Sequence, residues 1–108
     1  MRIVNKKAFH NYTVQERFEA GVVLTGAEVK SIKGGRCNLS DAYVKFLSSE
    51  PYLVNADIAK YTHSGSSDYD SRRSRKLLLS KKEIEYFQSK VKQGGYTLVP
   101  LSVYTTRG

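Results

Sequence analysis

Between Ser71 and Lys82 the chain carries six bases, Arg72, Arg73, Arg75, Lys76, Lys81 and Lys82, and no acid. Guanidinium groups fork onto phosphate oxygens and stack on bases. The rings of Tyr61, His63 and Tyr69, in the polar run just before these bases, offer stacking faces. RNA contact is the chemistry this pattern suits, and a solvated charge run at a helix entrance is its plainer reading. Lys81 and Lys82 fall in the first turn of an expected helix, against its dipole, and a bound polyanion would offset that. A second basic set is Arg2, Lys6 and Lys7, with His10 and Tyr12 nearby. A third is Lys30, Lys33 and Arg36, in which Lys30 and Lys33 are i,i+3 neighbours on one helix face. Three such sets on a small domain point to one contiguous RNA face.

Catalytic constellations are missing from the sequence. His10 and His63 have no metal-ligand spacing, and no HExxH, CxxC, GxGxxG, Walker or GxSxG motif occurs. Asp68 and Asp70 are two apart with no third ligand in step. Cys37 follows Arg36, which could lower its pKa, although a structural thiol is the plainer reading. Glu28 pairs with Thr25 in a capping box. Glu19 falls mid-strand beside an apolar run, where an acid wants a specific partner such as an arginine or a base edge. No enzyme activity, cofactor, metal or small-molecule substrate is expected.

The elements that must hold these residues belong to one domain, 1–108. Its 108 residues are 40% hydrophobic and 26% charged, with a net charge of +8, which allows a packed core and suits a polyanionic partner. The apolar runs are far shorter than the ~20 residues of a membrane span. No signal peptide opens the chain, and the single cysteine fits a reducing compartment. The expectation is a cytoplasmic protein without a membrane partner.

Residues 12–24 alternate with period 2, Tyr12, Val14, Glu16, Phe18 and Ala20 sharing one face, and read as a long half-buried strand bending at Gly21. Thr25 with Glu28 and Ser80 with Glu83 spell capping boxes. They open expected helices over 25–33 and 80–93, which Gly34-Gly35 and Gly94-Gly95 stop. Residues 42–47 and 52–56 form an expected hairpin across Ser48-Ser49-Glu50-Pro51. A polar loop fills 61–74, and a last strand is expected over 96–104, with an edge or bulge at Pro100. The order gives an α+β, mainly β class. The expected architecture is a small closed antiparallel β-barrel of the oligonucleotide-binding type with flanking helices.

The stretch from Phe18 to Ile32, FEAGVVLTGAEVKSI, resembles the signature of the SsrA-binding protein family, the small protein B of bacterial trans-translation. So do Asn5-Lys6-Lys7 with His10, Asn38 to Val44, Arg75 to Leu79 and Gly95 to Leu101. The blocks stand in family order across nearly the whole chain. The resemblance implies an oligonucleotide-binding-like barrel, and binding to the tRNA-like domain of transfer-messenger RNA. It also implies delivery of that RNA to stalled ribosomes for peptide tagging, with no catalytic centre. The RNA-binding candidates are Asn5, Lys6, Lys7, His10, Glu19, Lys30, Lys33, Arg36, Asn38, Arg72, Arg73, Arg75 and Lys76. Two departures stand out. Ala27 occupies a position where many members carry Trp, so stacking is not expected there. The family also continues past Gly108 with a strand and a basic tail, and a chain lacking these is expected to bind the RNA yet fail in tagging. The alternative is a generic single-strand RNA-binding or ribosomal protein without a rescue role.

Overall fold

The structure is a computed structural model and describes residues 2–61 and 68–106. His63 and the centre of the expected 61–74 loop lie outside the described residues. The chain runs β1 (Arg2–Val4), α1 (Lys6–Asn11), β2 (Gly21–Val22), α2 (Gly26–Lys33), β3 (Cys37–Asn38), β4 (Tyr43–Leu47) and β5 (Glu50–Val54). It continues with β6 (Asp57–Ile58), β7 (Arg75–Leu78), α3 (Lys81–Lys92) and β8 (Ser102–Tyr104).

The two capping boxes form as their spacing requires. Thr25 and Glu28 exchange side-chain and backbone bonds at the start of α2, and Ser80 and Glu83 do the same at α3. Gly35, at φ 75°, takes the left-handed conformation that ends α2. The hairpin also forms. Ser48 and Ser49, at φ 51° and 62°, make the two-residue turn between β4 and β5. Pro51 lies inside β5 rather than in the turn.

All strand pairs are antiparallel. The order β2-β7-β5-β4 makes a four-stranded sheet, and β1-β8 and β3-β6 make two separate ladders. The closed barrel is therefore corrected to an open, mixed arrangement of antiparallel sheets and, among the described residues, three helices. The reason lies in residues 12–20. The alternation there does half-bury Val14, Phe18 and Ala20, but the segment joins no ladder. Phe18 stacks on Phe87 of α3 at 4.0 Å, and Glu16 accepts a hydrogen bond from Tyr86. Only Gly21 and Val22 pair with β7, so the long strand that would complete a barrel wall is missing.

Two further differences concern the termini. Lys6–Asn11 is helical because Asn5 caps it, its side chain accepting the Ala8 N–H. The last strand begins only at Ser102, beyond Pro100. The Val44 N–H still reaches the Leu98 carbonyl at 2.8 Å, which ties 96–101 to the edge of β4. Leu39, Ala42, Leu53, Ala56 and Leu77 form the buried core, with Val22, Val44 and Val103 packed against it.

Candidate nucleic-acid interface

Strand β7 alternates. Arg75 and Leu77 point inward, and Lys76 and Leu78 point outward. An inward arginine needs an acid, and α2 supplies Glu28 from its first turn. The Arg75 Nε–H donates to Glu28 Oε2 at 2.8 Å. Glu28 Oε1 accepts from the Thr25 N–H at 2.9 Å and from the Arg73 guanidinium. The other arms of Arg75 donate to the carbonyls of Ala56 (2.8 Å), Arg73 (3.1 Å) and Ser71 (3.0 Å), and to the Tyr69 hydroxyl (2.9 Å). The single Tyr69 proton faces the Ile58 carbonyl at 2.8 Å and Glu28 Oε2 at 3.1 Å.

Glu28 is 1% exposed and Arg75 0%. A buried ion pair is tolerable only when its remaining donors and acceptors are satisfied. Among the described residues no buried side-chain nitrogen or oxygen lacks a partner. Burial on its own raises the Glu28 pKa. The hydrogen bonds from Arg73, Thr25 and Arg75, with the Arg75 charge, outweigh it and hold the carboxyl at about 2.

Outside this buried hub runs an exposed network. Lys7 Nζ lies 3.6 Å from Asp41, Arg72 Nη1 lies 3.4 Å from the same carboxylate, and Arg72 Nε lies 3.8 Å from Asp57. Asp57 pairs in β3-β6 with Asn38. Lys6, Lys7 and Asn38 help to line a shallow cavity of about 300 Å³. Arg72 of the 71–82 run and Lys7 of the second basic set thus meet at one carboxylate, that of Asp41. Arg36 leads into β3, and the Lys30 ammonium lies 5.4 Å from the centre of the Tyr61 ring.

Other candidates sit elsewhere. Asn5, expected at the RNA surface, is instead buried. Its amide donates to the Leu39 and Pro100 carbonyls while its oxygen caps α1. Arg75, expected among the RNA contacts, is closed off from solvent with every N–H group engaged, so its guanidinium has no free face for a phosphate. Glu19 is exposed and outside any strand. It accepts from Tyr104 Oη at 2.7 Å, and the Arg2 guanidinium lies over that ring. Lys76 meets Glu50 at 3.3 Å on the outer face of the four-stranded sheet. His10 and Lys33 are exposed at helix ends. The Cys37 thiol is pushed up to about 11 by burial, opposed by the charge of Arg75 and aided by that of Asp57, so a lowered pKa is corrected. Among the described residues no cluster of three or more His, Cys, Asp or Glu could hold a metal. No described helix is long and apolar enough to cross a membrane.

The sequence reading left Glu28, Tyr69, Asp41 and Asp57 off the candidate roster. For the Glu28–Arg75 pair a signal existed: the alternation of RKLL puts Arg75 on the same face as Leu77.

With this geometry in place, comparison with known proteins decides the family. The model described as "SmpB protein" matches residues 2–108. The chain belongs to the SmpB family. An SsrA-binding protein of Dehalococcoides mccartyi (strain ATCC BAA-2266 / KCTC 15142 / 195) is 50% identical over 100 residues, 93% of this chain and 58% of that relative. One from Sulfurihydrogenibium sp. (strain YO3AOP1) is 51% identical over 104 residues, 96% of this chain and 68% of the relative. The SmpB-family domain described here thus spans less than two thirds of the Dehalococcoides relative. A solved structure described as "tmRNA-SmpB: a journey to the center of the bacterial ribosome" contains a chain that aligns with a TM-score of 0.79 at 41% identity. The alignment covers 97% of this SmpB-family chain and 73% of that one.

Proposed function

We propose that this domain is the RNA-binding body of a trans-translation factor. It binds the tRNA-like part of transfer-messenger RNA and carries it to stalled ribosomes, and it has no catalytic role. The family match over residues 2–108 carries the reading. The mixed network of Lys7, Asp41, Arg72 and Asp57 supports it chemically. Exposed ion pairs are worth about 0–1 kcal/mol, so exchanging a carboxylate for a phosphate costs little. Lys6, Lys7, Asn38 and Arg72 form the centre of the proposed interface, with Arg36, Arg73, Lys30 and Lys33 extending it. His10, Glu19 and Lys76 lie at its margins or beyond.

The test is binding of transfer-messenger RNA against an unstructured RNA of equal length over a salt series. Preference for the folded RNA, with a salt slope that falls by roughly 0.7–0.9 for each phosphate-contacting base removed, is the expected result. Equal affinity for both RNAs would make the domain a generic RNA binder instead.

A further inference from the structure

We propose that Arg75, braced by Tyr69, is a positioning residue for RNA binding: a buried guanidinium that fixes the backbone on either side of Arg72 and so sets where Arg72 stands. The inference rests on the reading of Arg72 as an RNA contact. Arg75 grips the carbonyls of Ser71 and Arg73, the two residues that flank Arg72, with two different arms of one rigid fork. The rest of the fork is anchored in the core, on Glu28 and on the Ala56 carbonyl. The grip is thus referenced to the core and not to another part of the loop.

The turn has other bonds too: the Arg73 N–H donates to the Asp70 carbonyl at 3.3 Å, and the Arg73 guanidinium donates to Glu28. The Ser71 carbonyl also accepts from the Ile58 N–H at 3.0 Å, and the Arg72 N–H reaches Asp70 Oδ1 at 2.9 Å. Strand pairing starts only at Arg75. Lysine could not substitute, because a single ammonium cannot span three carbonyls, a carboxylate and a phenol in a planar fork. Tyr69 locks the fork from its far side, accepting from Nη2 and donating toward Ile58 and Glu28. A turn held in its bound shape loses less entropy when RNA docks.

The experiment is a double-mutant cycle of Tyr69→Phe and Arg72→Ala, read by transfer-messenger RNA affinity at fixed salt and by amide exchange of residues 70–73. Tyr69→Phe changes no charge; it removes the brace together with the hydroxyl's bonds to the Ile58 carbonyl and Glu28. The expected result is a loss on the order of fivefold in the parental background, little further loss once Arg72 is Ala, and faster exchange at 70–73. An unchanged affinity for Tyr69→Phe, or the same loss in both backgrounds, overturns the positioning role. An Arg72→Ala variant with parental affinity overturns the interface reading at Arg72, and this inference with it. Arg75→Lys provides a second line: it keeps the charge, loses the fork, and should couple to Arg72 in the same way. If Arg75→Lys no longer unfolds cooperatively, the Tyr69→Phe cycle alone decides.

Discussion

Glu28 and Arg75 are 47 positions apart in sequence, and their side chains meet at 2.8 Å with both closed off from solvent. One is the third residue of a helix and the other the first residue of a strand. Their contact joins α2 to the four-stranded sheet through a charge pair. Removing Glu28 leaves the buried Arg75 guanidinium without a counter-ion, whereas removing Arg75 leaves Glu28 its pairing with Arg73.

Glu28→Gln keeps the side-chain length and an oxygen for the Thr25 N–H, so the helix cap survives. The Arg75 charge loses its counter-ion. The expected cost is about 3–5 kcal/mol, read as a fall in the urea midpoint. Arg73→Ala removes a partly exposed partner from a carboxylate that keeps Arg75 and the Thr25 N–H, and should cost less than Glu28→Gln. A Glu28→Gln shift no larger than that of Arg73→Ala would show that the buried pair adds nothing to stability.

Acid should undo the same contact. The Glu28 carboxyl sits at about 2 in the folded chain against an ordinary 4.5. Between these values the unfolded chain binds the proton more tightly, so stability rises with pH across that window. The contribution is complete above about pH 5 and disappears as pH falls through 2; it is on the order of 3 kcal/mol. Urea midpoints from pH 6 to pH 2 should trace this loss, and Glu28→Gln should flatten the curve. Parallel curves for the two proteins would place the acid sensitivity elsewhere.

Cys37 should be a slow thiol. Burial holds it protonated, and only the thiolate attacks a disulfide reagent. At pH 8 its reaction with an aromatic disulfide should run at least about tenfold slower in native protein than in urea. Equal rates would mean that the β3-β6 region opens freely.

The turn at Ser48 and Ser49 holds two non-glycine residues at positive φ. Ser49→Gly relieves the left-handed penalty of roughly 1–2 kcal/mol but gives back part of it through unfolded-chain entropy. The net expectation is a gain of up to about 1 kcal/mol, seen as a higher thermal midpoint. Ser49→Val should lower it, because a β-branched side chain tolerates that conformation poorly.

What the sequence made legible was local. Thr25 with Glu28, Ser80 with Glu83 and Gly35 each depend on neighbours within a few positions and appear where the spacing put them; the β4-β5 hairpin also forms, but across two residues in place of the expected four. Closure of a barrel depends on which strands find partners. The alternation over 12–20 assigns faces to Val14 and Phe18 but says nothing of a ladder, and α3 takes Phe18 instead. The helix Lys6–Asn11 is short and basic, and its one signal, the Asn5 cap, was masked by the charge around it. In the sequence, the density of positive charge over 71–82 outweighs the alternation that turns Arg75 inward. Glu28 was read as a cap partner, which it is. The second oxygen, which serves Arg75, cannot be seen from four residues away.

Strand β1 pairs with β8, and Arg2 bonds Ser102 across 100 positions of chain. The partner of β1 is therefore made 100 positions after it. At a synthesis rate of roughly 5–20 residues per second, β1 leaves the ribosome and stays unpaired for about 5–20 seconds. Asn5 waits with it, since its backbone N–H and its amide bond the Leu101 and Pro100 carbonyls. The start of α1 is set by Asn5, and Lys6 and Lys7 stand on that start. The part of the surface that carries them reaches its final shape only after residues 100–104 have emerged, so a nascent chain arrested before that point would hold α2 and the β4-β5 hairpin but an unfinished lysine edge.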